Sequence, residues 1–258
     1  MLACGGAALR VEVEDFLNAA GLDIRVGYGL TEASPLVSFN PPGNTRSGSV
    51  GQILPGGEVK IAENGEILYR GPNLMAGYWN HPEATAETLV DGWLHTGDIG
   101  RLDEDGFLYI TDRIKDIIVT TGGKNVSPQP IEGLILSDPL FEHAVVLGDD
   151  RPYLTLLVKP SLPHVEELGR LRQWPGEVSD WLASVDLRDE IRKRVRDLTA
   201  KLPKQERPRD AAVMDAEPTM DNGLLTPTLK IRRRQVEQRF KAIIDDMYVR
   251  LERAKELR

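Results

Sequence analysis

Five charged residues lie in short segments that carry glycines or hydroxyl side chains and could serve chemistry on anions. Glu32 closes GYGLTE (Gly27–Glu32), Asp98 closes HTGD (His95–Asp98), and Arg113 lies in TDRIKD (Thr111–Asp116). Lys124 follows the pair Gly122–Gly123, and Lys230 ends LTPTLK (Leu225–Lys230). A carboxylate is a hard oxygen ligand suited to Mg2+, and a lysine is a mobile point charge able to meet developing negative charge. Each motif also has a plainer reading. Glu32 could be a solvated loop residue, Thr-Gly-Asp an ordinary turn, and Arg113 a surface ion pair with Asp112 or Asp116. Gly-Gly-Lys fails the phosphate-loop pattern, because Ile118 and Asn125 stand where glycine and Ser or Thr are required. A tight hairpin tip describes it better.

The elements that must position these residues follow from periodicity and turn chemistry. LRVEVEDFLNAAG, from Leu9, places Val13, Phe16, Leu17 and Ala20 on one helical face and ends at Gly21. LDIRV reads as a short strand and GYGLTEASP as a loop. From Gly48 to Ile110 short strands alternate with glycine turns. EVKIA and EILYR flank Asn64-Gly65, and Asp105-Gly106 sits at a second turn. One helix begins near Pro82. IKDIIVTT then reads as a strand, SPQPIEGLILS as a helix, and HAVVLGDD and YLTLLVKP as two further strands. Polar helices carrying Trp174 and Trp181, the strand-like DAAVMDAEP and one long terminal helix complete the chain. A domain boundary is expected at about residue 114.

Composition narrows the classes. A hydrophobic fraction of 41% and a charged fraction of 28% describe a globular protein. The net charge of -8 argues against a nucleic-acid partner. The single Cys4 precludes an internal disulfide and suits a reducing, cytoplasmic setting. His81, His95, His143 and His164 have no zinc-ligand spacing. No apolar run is long enough to span a membrane, and the start lacks the pattern of a signal peptide. Trp79, Trp93, Trp174 and Trp181 are expected to be packing residues. The stretch from Lys230 to Arg258 has ten Lys or Arg against five Asp or Glu, so peripheral contact with an anionic membrane is one reading. Its apolar positions Phe240, Ile243, Ile244, Met247 and Leu251 equally fit an ordinary docking face.

Five segments, in this order, resemble the adenylate-forming superfamily of acyl-CoA synthetases, luciferases and peptide-synthetase adenylation domains. They are GGAAL (Gly5–Leu9), GYGLTE, DGWLHTGDIGRLDEDGFLYITDRIKD (Asp91–Asp116), GGKNVSPQPIE (Gly122–Glu132) and GLLTPTLKIRRRQ (Gly223–Gln235). The run from Asp91 most resembles the fatty acyl-CoA synthetase signature, and LTPTLKIRRR is typical of the long-chain branch. The resemblance implies a mixed α+β and α/β fold. Residues 1–113 would be the end of a large AMP-binding domain, with 36–113 a β-barrel-like subdomain, and 114–258 a small mobile C-terminal domain.

The implied activity is that of a fatty acid–CoA ligase. A carboxylate attacks the α-phosphorus of ATP to give acyl-AMP and pyrophosphate, and coenzyme A then displaces AMP. Fatty acid, ATP and coenzyme A are the implied partners, with Mg2+ as cofactor. The resemblance places the Tyr28 ring and Gly29 against adenine, Thr31 on the α-phosphate and Glu32 on Mg2+. Asp98 would accept the ribose hydroxyls, for which its two oxygens are matched, with Arg113 beside it. Gly6 and Ala7 would approach the nucleotide or acyl group through their backbone. Lys230 would bridge the substrate carboxylate and the α-phosphate, Lys115 would be the hinge, and Gly122, Gly123, Lys124 and Asn125 would enter the site for the thioester step. The family's upstream phosphate loop is not found, so a truncated chain lacking an N-terminal portion of the same enzyme is expected. Two alternatives differ in outcome: an acyl-AMP ligase loading a carrier protein, or a non-catalytic remnant serving as an interaction module.

Overall fold

The computed structural model describes residues 1–227 and 229–256. Thr228, inside LTPTLK, and Leu257 and Arg258, at the end of the basic stretch, lie outside the described residues. The chain divides into two compact units, Met1–Lys115 and Asp116–Arg258.

In the first unit, β1 (Leu2–Cys4) leads to α1 (Val11–Ala19), β2 (Ile24–Gly29), β3 (Leu36–Phe39) and β4 (Gln52–Ile53), which form a four-stranded sheet in the order β1-β2-β3-β4. The remaining strands are β5 (Glu58–Ile61), β6 (Glu66–Arg70), β7 (Leu89–Val90), β8 (Trp93–Leu102) and β9 (Leu108–Arg113), with α2 (Pro82–Thr88) between β6 and β7. They make a five-stranded sheet in the order β5-β6-β8-β7, with β9 pairing further along the edge of β8 that β7 also uses. Asn64-Gly65 and Asp105-Gly106 turn the chain between antiparallel partners, and Gly65 and Gly106 take positive φ as such turns require. No closed barrel forms: the second sheet is open, and the strands at 36–39 and 52–53 belong to the first sheet. Ala33, Val37, Tyr69 and Leu94 form a core shared by strands of both sheets.

Two local expectations change. β2 runs on through Gly27 and Gly29, because pairing with β3 brings backbone where a side chain would otherwise stand. A Cβ on Gly29 would lie 1.9 Å from the Pro35 carbonyl oxygen. In α1 the deeply buried residue is Glu14, which accepts the Gly48 amide at 3.0 Å, whereas Phe16 is 70% exposed. The carboxylate is drawn in by a backbone donor, while of the apolar stripe Val13 and Leu17 are half-buried and Phe16 and Ala20 are exposed.

The second unit is a three-stranded sheet sandwiched between helices. β10 (Ile118–Val119) and β11 (Asn125–Val126) form a short hairpin, so only two residues of the expected strand at 114–121 are extended and Ile114–Asp116 is a 3-10 turn. After α3 (Pro128–Ile135) come β12 (Phe141–Leu147) and β13 (Thr155–Pro160), then α4 (Leu162–Arg172), α5 (Val178–Trp181), α6 (Val185–Leu198) and β14 (Ala211–Val213). The sheet order is β12-β13-β14, with β14 parallel to β13. Strand periodicity of two divides the side chains cleanly. Ala144, Val146, Leu156 and Val158 face one core with Leu187, Ile191 and Val195 of α6, while Val145, Leu147 and Leu157 face the other.

The terminal helix is two helices, α7 (Arg233–Arg239) and α8 (Lys241–Glu256), broken at Phe240, where φ is -104° and ψ 19°. Phe240, Ile244 and Met247 are buried against the sheet, and Ile243 and Leu251 pack beside them. That apolar face is therefore a docking face within the unit. Among the described residues no helix is long and apolar enough to cross a membrane.

Candidate functional site

Asp98 is the centre of the best-defined polar cluster in the first unit. It lies on β8 directly opposite Arg113 on β9. Arg113 Nε donates to Asp98 Oδ1 at 2.8 Å, and Tyr28 Oη, from the end of β2, donates to Asp98 Oδ2 at 2.5 Å. The Asp98 amide donates to Thr96 Oγ1 at 3.1 Å, and Thr96 in turn donates to the Ile67 carbonyl at 2.7 Å. Glu66, on the neighbouring strand β6, holds the preceding residues of β8 by accepting the Gly97 amide at 3.0 Å and bonding His95 Nδ1 at 3.0 Å. The Asp98 side chain is 10% exposed, against 56% for Arg113. Burial, and then the negative charge of Asp98, push the Tyr28 phenol far above its ordinary range. It is therefore a neutral donor, and a carboxylate with two oxygens keeps acceptor capacity beyond these two bonds.

The turn Thr31–Ala33 follows β2 at once. Thr31 is exposed and Glu32 half-buried. Glu32 Oε1 accepts from Tyr78 Oη at 2.7 Å, and its carbonyl accepts the Met75 amide at 2.8 Å. Donation to Glu32, then burial, raise the Tyr78 phenol above its usual value. Gly6 and Ala7 lie between β1 and α1, and neighbouring Gly5 sits close to the Gly27 carbonyl, within 3.1 Å of a would-be Cβ. Lys115 is in the 3-10 turn that ends this unit.

The remaining predicted residues are in the second unit. Gly122, Gly123, Lys124 and Asn125 form the exposed tip of the β10–β11 hairpin. Gly123 takes φ +68°, its amide bonds the Thr120 carbonyl at 2.8 Å, and Thr120 donates its amide to the Lys124 carbonyl at 3.1 Å. Lys230 is exposed at the end of a narrow loop pinned by the Leu225–Ile231 bridge. Thr226 closes that loop: its amide donates to the Lys230 carbonyl at 2.8 Å, and its Oγ1 accepts the Lys230 amide at 3.0 Å. Leu229, just before the lysine, holds a left-handed φ of +59°.

Thus the structure joins Tyr28, Asp98 and Arg113 by direct hydrogen bonds and sets Thr31 and Glu32 in the turn next to them. Tyr78, Thr96 and Glu66 support these residues and were not singled out from sequence. The threonine of HTGD was the one available signal. Trp79 is not a packing residue, being 87% exposed beside Tyr78, and Trp93 lies half-buried on the sheet surface under Lys60 and Arg70. Trp174 and Trp181 do pack, meeting edge to face at 6.1 Å.

Comparison with known proteins identifies the family of the chain. The model of the AMP-binding enzymes matches residues 1–79, and that of the AMP-binding enzyme C-terminal domain matches residues 115–252. The long-chain-fatty-acid–CoA ligase FadD15 of Mycobacterium bovis is 39% identical over 247 residues, covering 95% of this chain and 41% of the relative. The human long-chain-fatty-acid–CoA ligase ACSBG1 is 33% identical over 271 residues, covering 95% of this chain and 37% of the relative. Among solved structures, the O-succinylbenzoate coenzyme A synthetase of Bacillus subtilis, in complex with ATP and magnesium ion, superposes with a TM-score of 0.68. It is 26% identical, with 91% of this chain and 46% of that one covered. The chain thus spans about two fifths of the length of the curated relatives it matches.

Proposed function

The chain belongs to the AMP-binding enzymes, and from that premise we propose that it carries nucleotide-facing and C-terminal parts of a long-chain fatty acid–CoA ligase. The reaction joins a fatty acid to ATP, releasing pyrophosphate and forming acyl-AMP, and then transfers the acyl group to the thiol of coenzyme A. The observation that carries the reading is the Asp98 cluster, a buried carboxylate held from two sides by Tyr28 and Arg113 with acceptor capacity to spare.

In this reading Asp98 accepts the ribose hydroxyls, and the Tyr28 ring and the Gly29 backbone lie along the adenine. Arg113 meets the ribose from the other edge. Thr31 donates to the α-phosphate. Glu32, half-buried with one oxygen on Tyr78, would hold Mg2+ through its carboxylate, a hard oxygen donor suited to that ion. Bound there, Mg2+ supplies charge neutralisation at the phosphates.

Attack of one anion on another demands cations that act most strongly when charge is transferred. Lys230 is assigned that role. Its loop is short and internally hydrogen-bonded, and its side chain has no ion-pair partner among the described residues. Lys115 is assigned the hinge, and the Gly122–Asn125 tip the thioester step. Gly6 and Ala7 are assigned a backbone approach to the nucleotide.

The direct test is pyrophosphate release by the purified chain with ATP, Mg2+ and a panel of fatty acids. Release that depends on fatty acid and is lost in Lys230→Ala supports the reading. Release indifferent to the acid, or undiminished in Lys230→Ala, overturns it.

A further inference from the structure

The segment from Gly71 to Tyr78 wraps the turn that carries Glu32. Asn73 Nδ2 donates to the Ala33 carbonyl and, at 2.9 Å, to the Leu36 carbonyl, while Asn73 Oδ1 accepts from Tyr69 Oη at 2.6 Å. Met75 donates its amide to the Glu32 carbonyl at 2.8 Å. At the end of the segment Tyr78 Oη reaches Glu32 Oε1 at 2.7 Å, across 46 positions of sequence. The turn is therefore gripped through its main chain by Asn73 and Met75, and through its acidic side chain by Tyr78 alone among the described residues.

We propose that Tyr78 is the positioning residue for Glu32, holding one carboxylate oxygen so that the other is presented to a magnesium ion. The proposal rests on the reading of Glu32 as the Mg2+ ligand. The residue type is apt. A phenol orients a carboxylate without cancelling its charge, whereas a lysine or arginine in its place would compete with the cation. No ion pair involving Glu32 occurs among the described residues.

Tyr78 is itself well anchored. Its amide donates to Thr85 Oγ1 at 2.9 Å, and that hydroxyl donates to the His81 carbonyl at 2.9 Å, tying the residue to the first turns of α2. Gly77 permits this approach: its φ is +144°, and a Cβ there would lie 2.8 Å from Thr85 Cγ2. A ring fixed at its base and bonded at its tip leaves the Glu32 carboxylate little rotational freedom.

The test is Tyr78→Phe, which keeps the ring and its packing and removes only the hydroxyl. ATP binding is measured calorimetrically on the full chain across a Mg2+ titration and without metal. The expected result is a rise of about 10- to 100-fold in the Mg2+ concentration for half-maximal binding, the usual effect of losing an outer partner of a metal ligand. Binding without metal stays at the unsubstituted level. In a Glu32→Gln background the same substitution should change nothing further, since the two residues act as one unit. An unaltered Mg2+ dependence, or equal weakening with and without metal, overturns the positioning role while leaving the ligase reading in place. An unsubstituted chain that binds no nucleotide even with Mg2+ defeats both, and is recognised before any variant is compared.

Discussion

Asp98 shows how one carboxylate can be fixed by two donors from different strands. Its two oxygens each take one protein donor, Arg113 Nε and Tyr28 Oη, and the alternation along β8 turns it inward while the adjoining residues Gly97 and Ile99 point elsewhere. Asp98→Asn retains the shape but exchanges a charged acceptor for an amide that must choose which end to show each donor. A hydrogen bond to a charged group contributes about 1.5–3 kcal/mol, so nucleotide affinity should fall by roughly 10- to 100-fold. Calorimetric titration with AMP reads this directly, and an affinity within twofold of the original would remove Asp98 from the site. The residue types of this cluster were legible in sequence because HTGD and GYGLTE are short and contiguous. Tyr78 was not, since its partner Glu32 stands 46 positions away and nothing local to GYW signals a carboxylate.

At the scale of the element, turn chemistry was the dependable guide and strand extent was not. Asn64-Gly65 and Asp105-Gly106 announce their hairpins through the backbone angles that only such residues take easily. β2, by contrast, continues through Gly27-Tyr28-Gly29, where glycine's poor strand propensity hides a pairing decided by close approach to β3. The alanine methyl of Gly29→Ala would be driven into the Pro35 carbonyl, so the variant should lose about 1–3 kcal/mol or more of stability. A melting transition unchanged from the parent protein would show that the approach is not tight. β12 carries a second, pH-linked prediction. His143 is half-buried opposite Lys159, and burial holds its imidazole below the ordinary value, with Glu142 and Glu217 opposing and Lys159 assisting. Below about pH 6.5 the unfolded chain therefore binds this proton more readily than the folded one. The stability linked to His143 is present above that pH and declines as pH falls. Urea midpoints at pH 5.0 and 7.5 should differ less for His143→Gln than for the parent, and an equal difference in both would assign the pH response to other groups.

For the molecule as a whole, the two units differ in where along the chain their exposed apolar groups fall. The second buries side chains on both faces of β12-β13-β14, with α3 to α6 on one side and α7 and α8 on the other. The first leaves Leu2, Val11, Phe16 and Leu22 exposed on and around β1 and α1, Phe16 at 70%, whereas Leu171, Val185, Met220 and Leu229 are exposed at separate places along the second. That contrast was only half legible in sequence: the apolar stripe of α1 could be read from spacing, but what lies against it is a property of the assembled fold. Clustered exposed apolar groups bind environment-sensitive dyes, and a two-faced core does not. A hydrophobic dye should therefore fluoresce more strongly with the full chain than with residues 116–258 expressed alone, which two cores of their own equip to fold. Phe16→Ser and Leu2→Ser together should lower the full-chain signal by about half or more, because they remove the largest exposed groups of the patch. If the double variant binds dye as the parent does while 116–258 binds strongly, the exposed surface that matters lies in the second unit, and the assignment of the patch to β1 and α1 is wrong.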